Sequence, residues 1–320
     1  MLVKFGYVAM SEKLQNASPS QTMTATQFSK LQDTEAAIRR LEKIAKSNLS
    51  NCLRLLKHNA AYDIDFFRLS SRLVPLVNHP LTEGWKYEKA LMPQLKEIGQ
   101  FVNEREMRID FHPDHFVVLN NKSKEIFQRS LQTLLYHYKL LKGMGIDPKH
   151  RCVLHIGGAK EGKLDGLETF VDNFSDIPKS ISQMIMLEND DTIYTIEDAL
   201  YLGEKLEIPV IVDLHHHDIN PSESHLSDLW ERVLATWERS PLTVKIHVSS
   251  PRDGDMDKSH HDFINPERLL LFFEMIASRT KRLDVMIEAK KKDEALLQLM
   301  EHLKEDKRCI MESQASITFQ

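Results

Sequence analysis

The chain has 320 residues, 42% of them hydrophobic, and a formal net charge of −5. It can bury one large core, no apolar run is long enough to span a bilayer, and the amino terminus lacks the apolar stretch and small-residue cleavage site of a secretory signal. Cys52, Cys152 and Cys309 are too few and too scattered for a disulfide framework or a zinc ribbon, so a reducing cytoplasm is expected.

Short β-rich runs alternate with segments of helical spacing. A first strand is predicted over Leu2–Ala9. A long crossover follows (residues 10–64). In it Gln15–Thr26, rich in Ser, Thr and Gln, reads as a loop over one mouth, and helices are expected at Thr34–Ala45 and Leu49–His58. The strand Asp65–Ser71 leads to a helix over Trp85–Arg105, where Leu91, Leu95, Ile98 and Val102 share a stripe. Strand Arg108–His112 precedes a helix over Lys124–Lys142, which Gly143 and Gly145 would stop. Strands Cys152–Gly157 and Met184–Asn189 come next, then a helix over Ile196–Leu206 opened by Thr195 and Asp198 as a capping box. The series ends with strand Val210–Leu214, helix Ser224–Arg239, strand Thr243–Ser249, helix Pro266–Thr280 behind an Asn265 N-cap, strand Asp284–Ala289 and helix Asp293–Glu305. Ser316–Phe319 has a β-like pattern with no evident partner. Alternation of this kind predicts a single (β/α)₈ TIM barrel over residues 1–320. An open doubly wound sheet would usually carry a glycine-rich turn after its first strand, and Gly6-Tyr7-Val8-Ala9 offers none.

The last polar side chains of the predicted strands are Tyr7, Arg68, His112, His155, Glu188, Asp213 with His216, Lys245 with His247, and Glu288. Barrel active sites are built at that end of the strands, so imidazoles and carboxylates converge on one mouth. Carboxylates desolvated together repel and take up protons unless cations resolve the conflict. Mixed imidazole and carboxylate donors suit Mn²⁺, Zn²⁺ or Fe²⁺ better than Ca²⁺. Taken alone, a histidine such as His112 or His155 is more often a hydrogen-bonded core residue. Asp213-Leu214-His215-His216-His217-Asp218 is harder to read that way, because ligand-competent groups crowd the strand exit. Lys245 and His247 share one strand face. A lysine beside cations can lose its proton and capture carbon dioxide as a carbamate, or stay charged and bind a phosphate; spacing does not choose between them.

The order and spacing of these stretches carry a resemblance over nearly the whole chain. They are Gly6-Tyr7, Leu55-Leu56-Lys57-His58-Asn59, Phe67-Arg68-Leu69-Ser70-Ser71, Phe111-His112-Pro113, Leu154-His155-Ile156-Gly157-Gly158, Leu187-Glu188-Asn189-Asp190, Val212-Asp213-Leu214-His215-His216, Lys245-Ile246-His247-Val248-Ser249-Ser250, Ser259-His260-His261-Asp262-Phe263 and Ile287-Glu288-Ala289-Lys290. Together they resemble the UV damage endonuclease family. The resemblance implies three divalent metals, usually Mn²⁺ with Zn²⁺, Mg²⁺ or Co²⁺ as substitutes, in a groove that bends damaged double-stranded DNA. It implies incision 5′ to pyrimidine dimers and other distorting lesions. Carried over, the ligands are His112, His155, Glu188, Asp213, His216, His247, His260 and Glu288; Lys245 is the modified lysine, and Tyr7 stands near the reacting phosphate. His115 and Phe116 occupy places where the family commonly has glutamine and an aromatic residue probing the base stack, and Met10 stands where some members have asparagine.

The chemistry expected is phosphodiester hydrolysis, with Glu188, Asp213 and Glu288 as anionic bridges between cations. Lys57, Arg68, Lys160, Lys163, Arg252, Lys258 and Lys290 are candidate phosphate contacts, any of which could equally be a solvated charge. The acidic net charge neither supports nor excludes DNA, because bound cations neutralise carboxylates locally. A monomer suffices for cutting one strand. The rivals are an abasic-site endonuclease, a sugar isomerase or epimerase on the same barrel, and a non-catalytic lesion-binding module.

Overall fold

The wall of the molecule is made by strands β1 (Leu2–Val8), β2 (Phe66–Arg68), β3 (Arg108–Asp110), β4 (Cys152–His155), β5 (Ile185–Glu188), β6 (Val210–Asp213), β7 (Lys245–Val248) and β8 (Arg282–Ile287) in a computed structural model that describes residues 1–320. They are ordered β3-β2-β1-β8-β7-β6-β5-β4, with parallel pairing throughout that series. The seam between β3 and β4 is closed at Phe111, whose N–H donates to the Arg151 carbonyl (2.8 Å) and whose carbonyl accepts from Val153 N–H (2.9 Å). This is the (β/α)₈ barrel that the alternation predicts.

The helices are α1 (Ala25–Ser29), α2 (Thr34–Ala61), α3 (Tyr87–Glu104), α4 (Lys124–Gly143), α5 (Lys163–Ser175), α6 (Lys179–Ser182), α7 (Ile196–Leu206), α8 (Leu214–Ile219), α9 (Leu226–Trp237), α10 (Pro266–Ile276) and α11 (Lys292–Glu305). Local chemistry sets several ends. Asp198 accepts from Thr195 N–H (2.7 Å) at the start of α7, and Asn265 accepts from Glu267 N–H (3.0 Å) at the start of α10.

Besides the short helices α1, α6 and α8, which the sequence pattern does not announce, three departures from the sequence-based expectation have a structural cause. The two helices expected over Thr34–Ala45 and Leu49–His58 are one, α2, running through a polar stretch that disfavours helix. Tertiary bonds explain its continuity: Asn48 bonds the backbone of Gln21 (2.9 Å) and Leu73 (3.1 Å), and Asn51 donates to the Ser18 carbonyl (2.9 Å). These bonds also fasten the Gln15–Thr26 segment over the barrel. Helix α5 was not expected, because Gly162 and Gly166 interrupt its pattern. A Cβ at Gly166 would come within 2.1 Å of the Tyr194 hydroxyl, so close packing requires the glycine. Finally, the tail folds into a hairpin, β9 (Cys309–Ser313) and β10 (Ser316–Phe319), with β10 antiparallel to β1 at Leu2–Lys4. β2 pairs with β1 only at Tyr7 and Val8, and the hairpin covers the edge that β2 leaves bare.

Period-two alternation divides the strands into an inner and an outer face. Val8 packs with Phe66 and Met286 inside the barrel, whereas Val3, Phe5 and Tyr7 join the large core between strands and helices. Below the mouth the interior holds two ion pairs, Lys245 with Asp110 (2.7 Å) and Arg108 with Asp284 (2.5 Å), while Lys4 meets Asp65 (2.5 Å) at the solvent-exposed opposite end.

Phe319 seats the hairpin, its ring 5.6 Å from that of Phe273. Phe319→Ala should cost about 3–5 kcal/mol in urea unfolding, the range for emptying a buried aromatic site. A cost below about 1 kcal/mol would mean that the hairpin is not anchored there.

Candidate metal centre

Glu188 ends β5 inside the barrel without solvent contact, and its two oxygens serve opposite neighbours. Oε2 lies 2.8 Å from His112 Nε2 and 4.0 Å from His155 Nε2; Oε1 lies 2.8 Å from His247 Nδ1. Ligand atoms of His112, His155 and Glu188 form one compact group, and those of Glu188, Asp213, His247 and Glu288 form a second. Glu188 belongs to both. His216 completes the rim of the cluster, its Nδ1 3.8 Å from Glu188 and 3.9 Å from Asp213. The seven members come from six strand ends, with Asp213 and His216 both following β6: β3, β4, β5, β6, β7 and β8 converge because a closed parallel barrel points every carboxyl end at one mouth.

The orientations are fixed from behind. His112 Nδ1 faces the Pro113 carbonyl (3.0 Å), His216 Nδ1 the Asn189 carbonyl (2.9 Å) and His260 Nδ1 the Glu288 carbonyl (2.6 Å). A carbonyl only accepts, so Nδ1 carries a proton in each ring, and Nε2 is the nitrogen left to face a cation, which would displace any proton held there. Asn189 locks β5 to β6 by donating to the Asp213 carbonyl (3.1 Å) and accepting from Asp213 N–H (2.9 Å).

The electrostatics fit a cation site. Burial, joined by the charges of Glu188 and Glu288 and opposed by His216, pushes the Asp213 carboxyl up to about 8. For His216, burial is outweighed by Asp213 and Glu188, which raise it to about 9. Burial lowers His155 to about 4 and lowers His247 as well. Burial also works to raise Glu188, but His247 and His112 hold it well below the usual carboxylate range. Asp213 Oδ2, His247 Nε2 and His155 Nδ1 are buried without any hydrogen-bond partner. Orphaned lone pairs and crowded carboxylates are unfavourable alone and are what divalent ions satisfy.

Comparison with known proteins reaches the same region. Residues 3–320 match the model of the family described as UV-endonuclease UvdE. This chain belongs to that family. It is 63% identical to the UV DNA damage endonuclease of Halalkalibacterium halodurans over 100% of this chain and 99% of that protein. It is 35% identical to the UV DNA damage endonuclease of Bacillus cereus, with 95% of each covered. The crystal structure of SacUVDE superposes with a TM-score of 0.82 at 32% identity, covering 95% of this chain and 98% of that one.

Within this UvdE-family barrel, not every residue expected at the mouth reaches it. Tyr7 is fully buried on the outer face of β1, edge-to-face on Phe67 at 5.0 Å, and its hydroxyl donates to Asn59 Oδ1 (2.5 Å). Parity accounts for this placement: Val8 rather than Tyr7 takes the inner face. Lys245 does point inwards, but it stops a layer below the cluster, paired with Asp110. Arg68 is spent on Glu288. Arg252 pairs with Asp253 (2.8 Å), Lys258 contacts Thr192 (2.6 Å) and Asp191 (3.5 Å), and Lys163 pairs with Asp198 (2.6 Å). Lys57, Lys160 and Lys290 are exposed. His115 is exposed beside Phe116, which is 65% exposed, on the loop between β3 and α4. Met10 is partly exposed after Ala9, which has φ +62°. His215 is held by Ser249 (2.7 Å) and the Asp257 carbonyl (3.0 Å), a bracing role for the loop carrying Arg252 and Lys258. Asp110 and Asn189 were missed by sequence reasoning. Asp110 lies two positions before His112 on the same strand face, so the period-two rule could have found it.

No helix of this chain is long and apolar enough to cross a membrane.

The raised Asp213 carries a stability prediction. Its carboxyl ionises near 4 when unfolded and at about 8 when folded, so the unfolded state sheds the proton first. Its contribution therefore falls as pH rises between about 4 and 8. In chelator-treated protein, Asp213→Asn should melt above wild type at pH 8 and close to it at pH 4. Melting temperatures that differ by the same amount at both pH values would count against a proton held on Asp213.

Proposed function

We propose that the chain is a metal-dependent endonuclease that incises damaged duplex DNA 5′ to UV photoproducts, leaving a 3′-hydroxyl and a 5′-phosphate. The observation carrying this reading is that Glu188 is shared by two groups of potential ligands, in a chain whose relatives bear the name UV DNA damage endonuclease. His112, His155, Glu188, Asp213, His216, His247, His260 and Glu288 would hold three divalent ions, and Mn²⁺ suits the imidazole and carboxylate set. Such ions, when bound, draw charge off phosphate oxygens and activate water at neutral pH.

The chain's own groups do the rest. The carbonyls behind His112, His216 and His260 keep each imidazole in the tautomer that can ligate. Burial of Glu188, Asp213 and His247 excludes bulk water from the reacting atoms and strengthens every charge interaction there. Phe116 projects from the rim as an apolar wedge, which opens a base step most cheaply where a lesion has already unstacked it. Lys160 and Lys290, exposed at the mouth, take backbone phosphates, while Arg252 and Lys258 can exchange a carboxylate for one. Tyr7 acts from behind the wall, through Asn59, and not at the phosphate. Residues 1–320 work as one barrel domain, as a cytoplasmic monomer. Burial lowers the pKa of the Lys245 ammonium, which favours the neutral amine needed for carboxylation, with Asp110 holding the unmodified cation.

Supercoiled plasmid tests the reading directly. Nicking is expected only on irradiated plasmid with Mn²⁺ present, and not with chelator. Nicking of both plasmids alike would remove lesion specificity, and its absence from metal-loaded protein would remove the nuclease. Glu188→Gln should lower the rate at least about 10³-fold, the scale for deleting a central electrostatic group, with an unchanged fold by circular dichroism. For Lys245, native mass spectrometry at neutral pH should show the mass of one carbon dioxide added, absent from Lys245→Ala; an unmodified mass would leave the Asp110 ion pair as the resting state.

A further inference from the structure

Most cations around the mouth are neutralised by contact. Arg68 meets Glu288, Arg252 meets Asp253, Lys258 meets Asp191 and Lys163 meets Asp198. Lys292 is different. It lies just beyond Glu288, half-buried, and its ammonium is within electrostatic reach of Arg68, Glu288 and Glu12 without forming an ion pair with either carboxylate. Its neighbour Lys291 is satisfied by Glu294 (3.7 Å). A cation withdrawn from water with no contact partner is unfavourable unless an anion arrives.

The backbone adds a second peculiarity. Lys292 has φ +48°, in the left-handed region that a Cβ-bearing residue occupies at a cost. The next residue explains why the conformation persists. Asp293 is fully buried; its carboxylate accepts from the Ser11 hydroxyl and from Glu12 N–H (2.8 Å), and meets His58 Nε2 at 3.0 Å. These contacts clamp the start of α11 to the loop after β1 and to the last turn of α2. The strained turn thus fixes Lys292 four residues after Glu288, half-buried and without an ion-pair partner, on the segment where Lys290 is exposed.

We infer that Lys292 binds a backbone phosphate of the incised strand, drawing that strand down onto the cluster around Glu188. The inference rests on the reading of the chain as a DNA endonuclease. Its chemistry is a point-charge contact: an ammonium has three donors and no geometric demand, which suits a diester oxygen whose position changes as the duplex bends.

Salt dependence separates this role from a structural one. Nicking of a duplex carrying a single thymine dimer would be measured across salt concentrations, below and above saturation, for wild type, Lys292→Met and Lys292→Arg. Lys292→Met keeps the stem and should lower kcat/KM about tenfold, with a slope of log kcat/KM against log salt shallower by about 1. Its kcat should stay within about twofold of wild type, as expected for lost uniform binding. Lys292→Arg should retain the wild-type slope. A Lys292→Met slope equal to wild type overturns the inference, whatever happens to kcat, and so does a Lys292→Arg slope as shallow as that of Lys292→Met. Wild type that does not nick the dimer duplex at all would instead overturn the endonuclease reading, and this inference with it.

Discussion

Glu188, Asp213 and Glu288 are packed at the end of a closed barrel among imidazoles, two of the three carboxylates without solvent contact. Much else in the fold answers to that crowding. Left alone, such a group would lower its energy by binding protons, as the raised Asp213 and His216 do. The barrel prevents relaxation by other routes, because each side chain leaves a different strand whose position is set by hydrogen-bonded neighbours on both sides. The carbonyls of Pro113, Asn189 and Glu288 fix the rings, so the cluster can neither spread apart nor rotate its lone pairs away. A rigid, electron-rich cavity is the result, and its strongest partner is a divalent cation.

The layer beneath shows how the wall tolerates such a site. Asp110 and Lys245 cancel one another directly below the cluster, and Arg108 and Asp284 do so below them. The Arg108 guanidinium lies over the rings of Phe66 (5.0 Å) and Trp237 (5.6 Å), contacts that suit a weakly hydrated planar cation. Buried ion pairs seldom add net stability over apolar packing. Here they cancel charge below the mouth, so that the crowded carboxylates and orphaned lone pairs lie at the open end, where a cation would satisfy them.

The barrel and most of the cluster were legible from the sequence because both rest on local rules. Strand and helix periods are read over a few residues, and the C-terminal polar residue of each strand follows from where the apolar run stops. Parity was the weaker step. Tyr7 is the last polar residue of its strand, but the inner face belongs to Val8, and a single-residue step turns a side chain to the opposite face. The continuity of α2 is hidden for another reason: Lys46-Ser47-Asn48 looks like a break until Asn48 is seen bonded to Gln21, beside Asn51 bonded to Ser18. The partner of β10 was hidden because its pairing with β1 joins the two ends of the chain. Asp293 and Lys292 escaped notice because their importance lies in contacts with residues on α2 and the β1 loop, distant in sequence.

The charge balance at the rim bears on selectivity in the proposed reaction. A net charge of −5 and a mouth whose arginines and lysines mostly hold carboxylates give intact duplex little to bind. Each phosphate contact at Arg252 or Lys258 has to displace an aspartate first, which weakens the sequence-independent attraction that usually dominates affinity. Duplex that bends easily has a different balance. It can bring its backbone below the rim, towards Lys292 and the cluster, and it offers Phe116 an unstacked step to enter. In the proposed reaction affinity would then track deformability more than charge, and lesions would be distinguished by how little they resist the bend.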